Sequence, residues 1–335
     1  MGIVDKEILK KFLPENYFEN KTVVITGGCG LIGSWLCSTI INLGGQIFCV
    51  DNLSTGITKN LEDLKQLENF SFIQKDVQSI STNELPKNAD FVIHCASRAS
   101  PEDYREFPID TLECNSLGTK IMLDYSLKNQ SMFLFTSTSE IYGNPTVFPT
   151  PETYYGYVNT MGERSCYDEG KRYGEALVHA YGQSYDLKTR VVRIFNTYGP
   201  GLRPDGNYGR ALPRFIFQCL KNKPITIYGD GSQTRSFNYI SDTISGILGI
   251  ITKQEFNGKP VNVGNSNEIT ILELAKIIKE ITKSSSEITF QPSMPDDPKR
   301  RKPDTKLLES IGWKPNVSLN AGLEKTIEWI RKNYF

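Results

Sequence analysis

The chain has 335 residues, 39% of them hydrophobic and 23% charged, enough to bury a sizeable core in one large domain or two closely packed ones. Its 38 Lys and Arg balance 38 Asp and Glu, which excludes a global electrostatic attraction to nucleic acid or an anionic membrane and leaves any anionic ligand to local recognition. Seven cysteines without paired spacing read as reduced thiols of a cytoplasmic protein, and two histidines with no CxxC argue against a metal site.

Residues 1 to 20 are amphipathic and charged and read as a helical extension rather than a signal peptide; no apolar run approaches the ~20 residues that span a bilayer. From 21 to 195, the β-rich runs "KTVVITG", "QIFCVD", "FSFIQKD", "ADFVIHCAS", "SMFLFTST" and "TRVVRIF" alternate with helical patterns, among them one helix over 110 to 129 and another over 162 to 185. Strands alternating with helices imply an α/β fold, a Rossmann-type doubly wound parallel sheet with right-handed crossovers. After residue 195 the pattern loosens into a turn-rich loop, "NTYGPGLRPDGNYG", followed by short strands and helices. Residues 196 to 335 therefore read as mainly a smaller α/β substrate-binding domain, with some chain crossing back to the Rossmann sheet. The helices within it are expected over 271 to 281 and 319 to 333.

Gly27, Gly30 and Gly33 fall where the first strand meets the first helix. There glycine permits a tight turn and the close approach of a pyrophosphate, whose charge the helix N-terminus favours. Asp51, ending the second strand, has the spacing of an acid that binds the adenosine ribose diol and would repel a 2′-phosphate, so NAD is expected rather than NADP. Asp76 and Val77, ending the third strand, are placed to meet the adenine. Tyr167 and Lys171, four apart, share one helix face. An ammonium and a cationic nicotinamide ring nearby would favour the phenolate of a tyrosine whose ordinary pKa is near 10.

Together with Thr138 at a strand end, these residues resemble the extended short-chain dehydrogenase/reductase superfamily of NAD-dependent epimerases and dehydratases. The likeness covers nearly the whole chain and implies a catalytic triad of Thr138, Tyr167 and Lys171. Asn115, in "ECNSLGT", matches the family's helix asparagine, and "RIFNTYGP" its segment near the nicotinamide and the sugar nucleotide. The implied cofactor site takes in Gly27, Gly30, Leu31, Ile32, Gly33, Asp51, Asn52, Ser54, Thr55, Gly56, Asp76, Val77, Ala96, Ser97, Tyr167, Lys171 and Thr197. The implied substrate contacts are Tyr104, Asn196, Arg210, Arg235 and Arg301. Pairing of two helices across a four-helix bundle makes a homodimer the implied assembly.

The residues beside Thr138 select among reactions. Dehydratases of the superfamily carry Asp-Glu there, the acid protonating the departing C6 hydroxyl, whereas simple 4-epimerases generally need no glutamate. Ser139-Glu140 resembles the UDP-glucuronate decarboxylases (UDP-xylose synthases), as do "ASRASPEDY", "GSQTRSFNYISD" and "DDPKRRKPD". The resemblance implies oxidation of C4, loss of carbon dioxide from the resulting β-keto acid, reprotonation of C5 and reduction of C4. Ser139 and Glu140 would contact the C5/C6 end of the sugar, Glu140 positioning a water or proton donor, and Arg235 would face the carboxylate. A nucleotide-sugar 4-epimerase or 4,6-dehydratase is the alternative. Two positions depart from the pattern: Arg98 stands where many decarboxylases have proline, and Glu113 where the animal enzymes have lysine.

Overall fold

The strand Thr22–Thr26 (β1) is "TVVIT", and its β-branched residues suit a strand covered on both faces. Side chains alternate along it, so Val23 and Ile25 enter one apolar cluster while Val24 enters another on the opposite face of the sheet. The computed structural model describes residues 2–204, 209–294 and 297–335.

Around β1 the chain runs α1 (Lys6–Leu9), α2 (Leu31–Asn42), β2 (Gln46–Val50), β3 (Phe70–Ile73), β4 (Phe91–His94), α3 (Pro101–Glu106), α4 (Pro108–Glu113), α5 (Thr119–Asn129), β5 (Met132–Thr138), α6 (Ser165–Tyr185) and β6 (Thr189–Ile194). It continues through β7 (Thr197–Tyr198), α7 (Ala211–Leu220), β8 (Ile225–Tyr228), β9 (Thr234–Ser236), β10 (Asn238–Tyr239), α8 (Ile240–Thr252) and β11 (Pro260–Val263). Last come β12 (Glu268–Thr270), α9 (Ile271–Thr282), β13 (Ile288–Gln291), β14 (Arg300–Arg301), α10 (Lys306–Glu309) and α11 (Leu319–Tyr334).

Seven strands form one parallel sheet in the order β11-β6-β5-β4-β1-β2-β3. The order reverses between β1 and β4, the position at which a doubly wound sheet opens a crevice at its carboxyl ends. Helices α2 and α8 supply apolar residues to one face, and α5 and α6 to the other. The strand β11 returns from late in the chain to pair with β6. Among the described residues, three smaller sheets, β10-β7, β13-β8 and β12-β9-β14, accompany it.

Three expectations are revised. Within residues 2–20 the only α-helix is the single turn α1, capped by Asp5, whose carboxylate accepts the Glu7 N–H at 2.9 Å. The single helix expected over 110 to 129 is interrupted by a π turn at Cys114–Gly118. There Asn115, Ser116 and Thr119 donate side-chain hydrogen bonds to the carbonyls four residues earlier, competing with the regular helical ladder. The helix expected from 162 begins at Ser165.

Candidate active site

Two clefts meet at the carboxyl ends of the sheet and share Gly27, Gly30, Thr55, Cys95 and Ser97 in their walls. The larger, about 360 Å³, runs from the start of α2 past Leu31, Ile32 and Gly33 to Thr138, Ser139, Tyr167 and Lys171, and on to Asn196, Thr197, Arg210 and Arg235. The smaller, about 80 Å³, is lined by Asp51, Asn52, Ser54, Gly56, Asp76, Val77 and Ala96. Of the residues expected from the sequence, Asn115, Glu140, Tyr104 and Arg301 lie outside both walls.

The glycine loop is shaped for a group that needs close backbone approach. Gly27 has φ +67°, and a Cβ there would stand 2.7 Å from the Ala96 nitrogen; one on Gly33 would collide with the Gly27 carbonyl. Gly30 caps α2 without any side-chain hydrogen bond, leaving the helix's first N–H groups to an incoming anion. Asp51 accepts from the Cys29 and Leu53 N–H groups, both at 2.8 Å. Burial pushes its carboxyl up while those bonds pull it down, and a carboxylate has lone pairs left for a diol. The residues present therefore fit a dinucleotide, which would bring its pyrophosphate to α2 and its adenosine to the smaller cleft.

At the other end, burial pushes the Tyr167 phenol above its ordinary value and a hydrogen bond with Thr138 pulls it down, with burial prevailing. Lys171 is also buried, which lowers its ammonium to about 8. Its Nζ donates to the Thr136 carbonyl at 2.8 Å and lies 4.7 Å over the Phe135 ring. The expectation that an ammonium favours the phenolate is thus opposed by desolvation. Tyr104 does not open on the cleft; it is stacked on Tyr167 with centroids 5.4 Å apart and planes at 7°, bracing that ring from behind.

Glu140, expected to position a water or proton donor, is held by cations. Its carboxylate is clamped by the Arg164 and Arg301 guanidiniums, the second at 2.6 Å, and Arg301 also donates to Ser139 Oγ at 3.0 Å. Burial alone would raise Glu140, but Arg164, Arg301 and Arg235 hold it below the ordinary carboxylate value. Asp168, beside Tyr167, is pushed up to about 7 by burial and by Glu140. The register of β14 on β9 sets Arg301 beside Arg235. Arg235 pairs with Asp297 at 2.7 Å. Sequence reasoning missed Arg164 and Asp168. Their only signal was position: both lie within three residues of Tyr167 on a helix that carries the proposed base.

Residues 23–264 match the family model described as the NAD dependent epimerase/dehydratase family. The chain is 42% identical over 325 residues to UDP-glucuronic acid decarboxylase 1 of Xenopus tropicalis, covering 96% of this chain and 74% of that protein. To UDP-glucuronic acid decarboxylase 1 of Arabidopsis thaliana it is 41% identical, covering 92% of this chain and 69% of the relative. Among solved structures, the UDP-glucuronic acid 4-epimerase of Bacillus cereus, in complex with UDP-glucuronic acid and NAD, superposes with a TM-score of 0.85. It is 28% identical, over 93% of this chain and 100% of that one. A glycine cradle, an acid ending β2 and a Thr-Tyr-Lys set at the crevice thus accompany similarity along most of the sequence, and the chain belongs to the NAD-dependent epimerase/dehydratase family.

Proposed function

We propose that this enzyme decarboxylates UDP-glucuronate to UDP-xylose, with Thr138, Tyr167 and Lys171 working on C4 and the Ser139–Glu140 end of the site holding C5 and C6. The observation that carries this reading is the arginine cluster. Arg301, Arg235 and Arg164 converge behind Ser139 on Glu140, Asp297 and Asp168, the last pushed up to about 7. When Asp168 holds a proton, three guanidiniums face two carboxylates, so the cluster leans positive and suits a uronate carboxylate brought alongside.

Tyr167 takes the proton of the C4 hydroxyl, Thr138 holds the same oxygen, and Lys171 keeps positive charge beneath them. Bound NAD would supply the hydride acceptor for C4 and the hydride donor for its re-reduction, and its cationic ring would favour the phenolate that burial opposes. The 4-keto sugar so formed carries its carboxylate β to a ketone and loses carbon dioxide as the electrons pass to an enolate, which C5 protonation discharges. A Glu140 kept ionised between two guanidiniums is a poor proton donor itself; it fixes the arginines and any water beside C5.

Two further parts of the reading concern assembly and compartment. Ile109, 67% exposed, and Leu117, 51% exposed, leave apolar surface along α4 and the π turn, with Tyr173 exposed on α6, which supports a homodimer through a four-helix bundle. Seven free thiols support a reducing cytoplasm, and among the described residues no helix is long and apolar enough to cross a membrane.

The test is product mass analysis after incubation with UDP-glucuronate and NAD. Carbon dioxide with a UDP-pentose is the expected result; an isomer of unchanged mass, or a product lighter by one water, would overturn it in favour of an epimerase or a dehydratase.

A further inference from the structure

We propose that Arg98 and Asp110 form a clasp over the adenosine end of the cofactor cleft, anchored by Gln78, whose opening sets the rate of NAD release. The inference rests on the reading that the adenosine half lies in the smaller cleft.

Arg98, Asp110 and Gln78 all line that cleft, together with Asp51, Asp76 and Val77. They come from three separate stretches of chain: Gln78 follows β3, Arg98 follows β4, and Asp110 lies on α4. Arg98 Nε donates to Asp110 Oδ2 at 2.6 Å, and its guanidinium carbon lies 4.5 Å from the Phe107 ring centre. Asp110 Oδ1 in turn accepts from Gln78 Nε2 at 3.0 Å. One carboxylate therefore ties the segments after β3 and β4 to α4 in the wall of the cleft.

One polar atom of the clasp is left unmet. Gln78 Oε1 is buried and has no hydrogen-bond partner among the described residues. Leaving a buried acceptor unmet is costly, so the closed arrangement of Gln78, Asp110 and Arg98 is not held at full strength. The clasp can still open: the Arg98 side chain is 12% exposed and that of Asp110 33%. Asp110 is open enough to solvent for salt to weaken the pair in part, though less than a fully exposed one. The Arg98 side chain that departs from the decarboxylase pattern thereby acquires a task, retention of a cofactor that a redox-neutral cycle does not consume.

The experiment measures release of labelled NAD from the holoenzyme chased with excess unlabelled NAD. Arg98→Ala and Asp110→Asn are each expected to speed release about fivefold, and Arg98→Lys to restore most of the wild-type rate. Raising the salt should speed release from the wild type and much less from Arg98→Ala, a difference that a merely structural role for Arg98 would not produce. Unchanged release in both clasp variants, alongside a faster rate in Asp51→Ala, would overturn the clasp alone. Unchanged NAD content and release in Asp51→Ala would overturn the placement of adenosine in this cleft.

Discussion

Glu140 shows how a single carboxylate's chemistry is set by what surrounds it. Arg164, Arg301 and Arg235 keep it charged despite burial, so in the proposed reaction it would hold Arg164 and Arg301 in place rather than exchange its own proton. Glu140→Gln is expected to lower kcat on the order of 100-fold with NAD still bound, and Arg164→Met to lower it about tenfold by letting the carboxylate turn. Turnover assays with the bound NAD measured by absorbance check both, and unchanged turnover rejects the role. Asp168 is the counterpart, its carboxyl pushed up to about 7 by burial and by Glu140. Between the unfolded value near 4 and about 7, the folded protein keeps a proton that the unfolded chain has released. The stability this contributes is complete below the lower value and lost as pH rises through the upper one. The Tm of Asp168→Asn relative to wild type is therefore expected to rise from pH 5 to 7 and level above; parallel Tm curves would reject it. Thr138, Tyr167 and Lys171 were legible in the sequence because strand end and helix spacing are local properties. Arg301 on Glu140 was not legible, since 161 residues separate them.

Among elements, the loop from β1 into α2 is the most constrained. A Cβ on Gly33 has to displace the Gly27 carbonyl, so Gly33→Val must shift the turn that faces the pyrophosphate. The expected cost is about 1–3 kcal/mol of stability in the NAD-free protein, together with at least a tenfold loss of NAD affinity. Calorimetry for binding and the Tm gain on adding NAD report the two separately; an intact Tm gain would contradict the assigned loop. This element was readable because its glycines are fixed by backbone sterics alone. The interruption between α4 and α5 was not: Asn115, Ser116 and Thr119 are tolerated within helices, and only their hydrogen bonds to preceding carbonyls show that the ladder widens there.

At the scale of the whole molecule, exposed apolar residues on α4 and the π turn predict association. Light scattering is expected to give twice the chain's mass, and Ile109→Asp with Leu117→Asp to give a monomer; a wild-type monomer at assay concentration would reject the four-helix bundle. The sequence by itself determined the doubly wound sheet, the glycine turn and the shared helix face of Tyr167 and Lys171, because periodicity, glycine sterics and helix spacing act over a few residues. Only the tertiary structure decided which charges meet. The return of β14 to β9 brings Arg301 beside Arg235 and onto Ser139 and Glu140, and the fold carries Asp110 to Arg98 and Gln78. The reason is physical: burial and charge proximity set the protonation and strength of such groups, and both depend on segments that are close in space though distant along the chain.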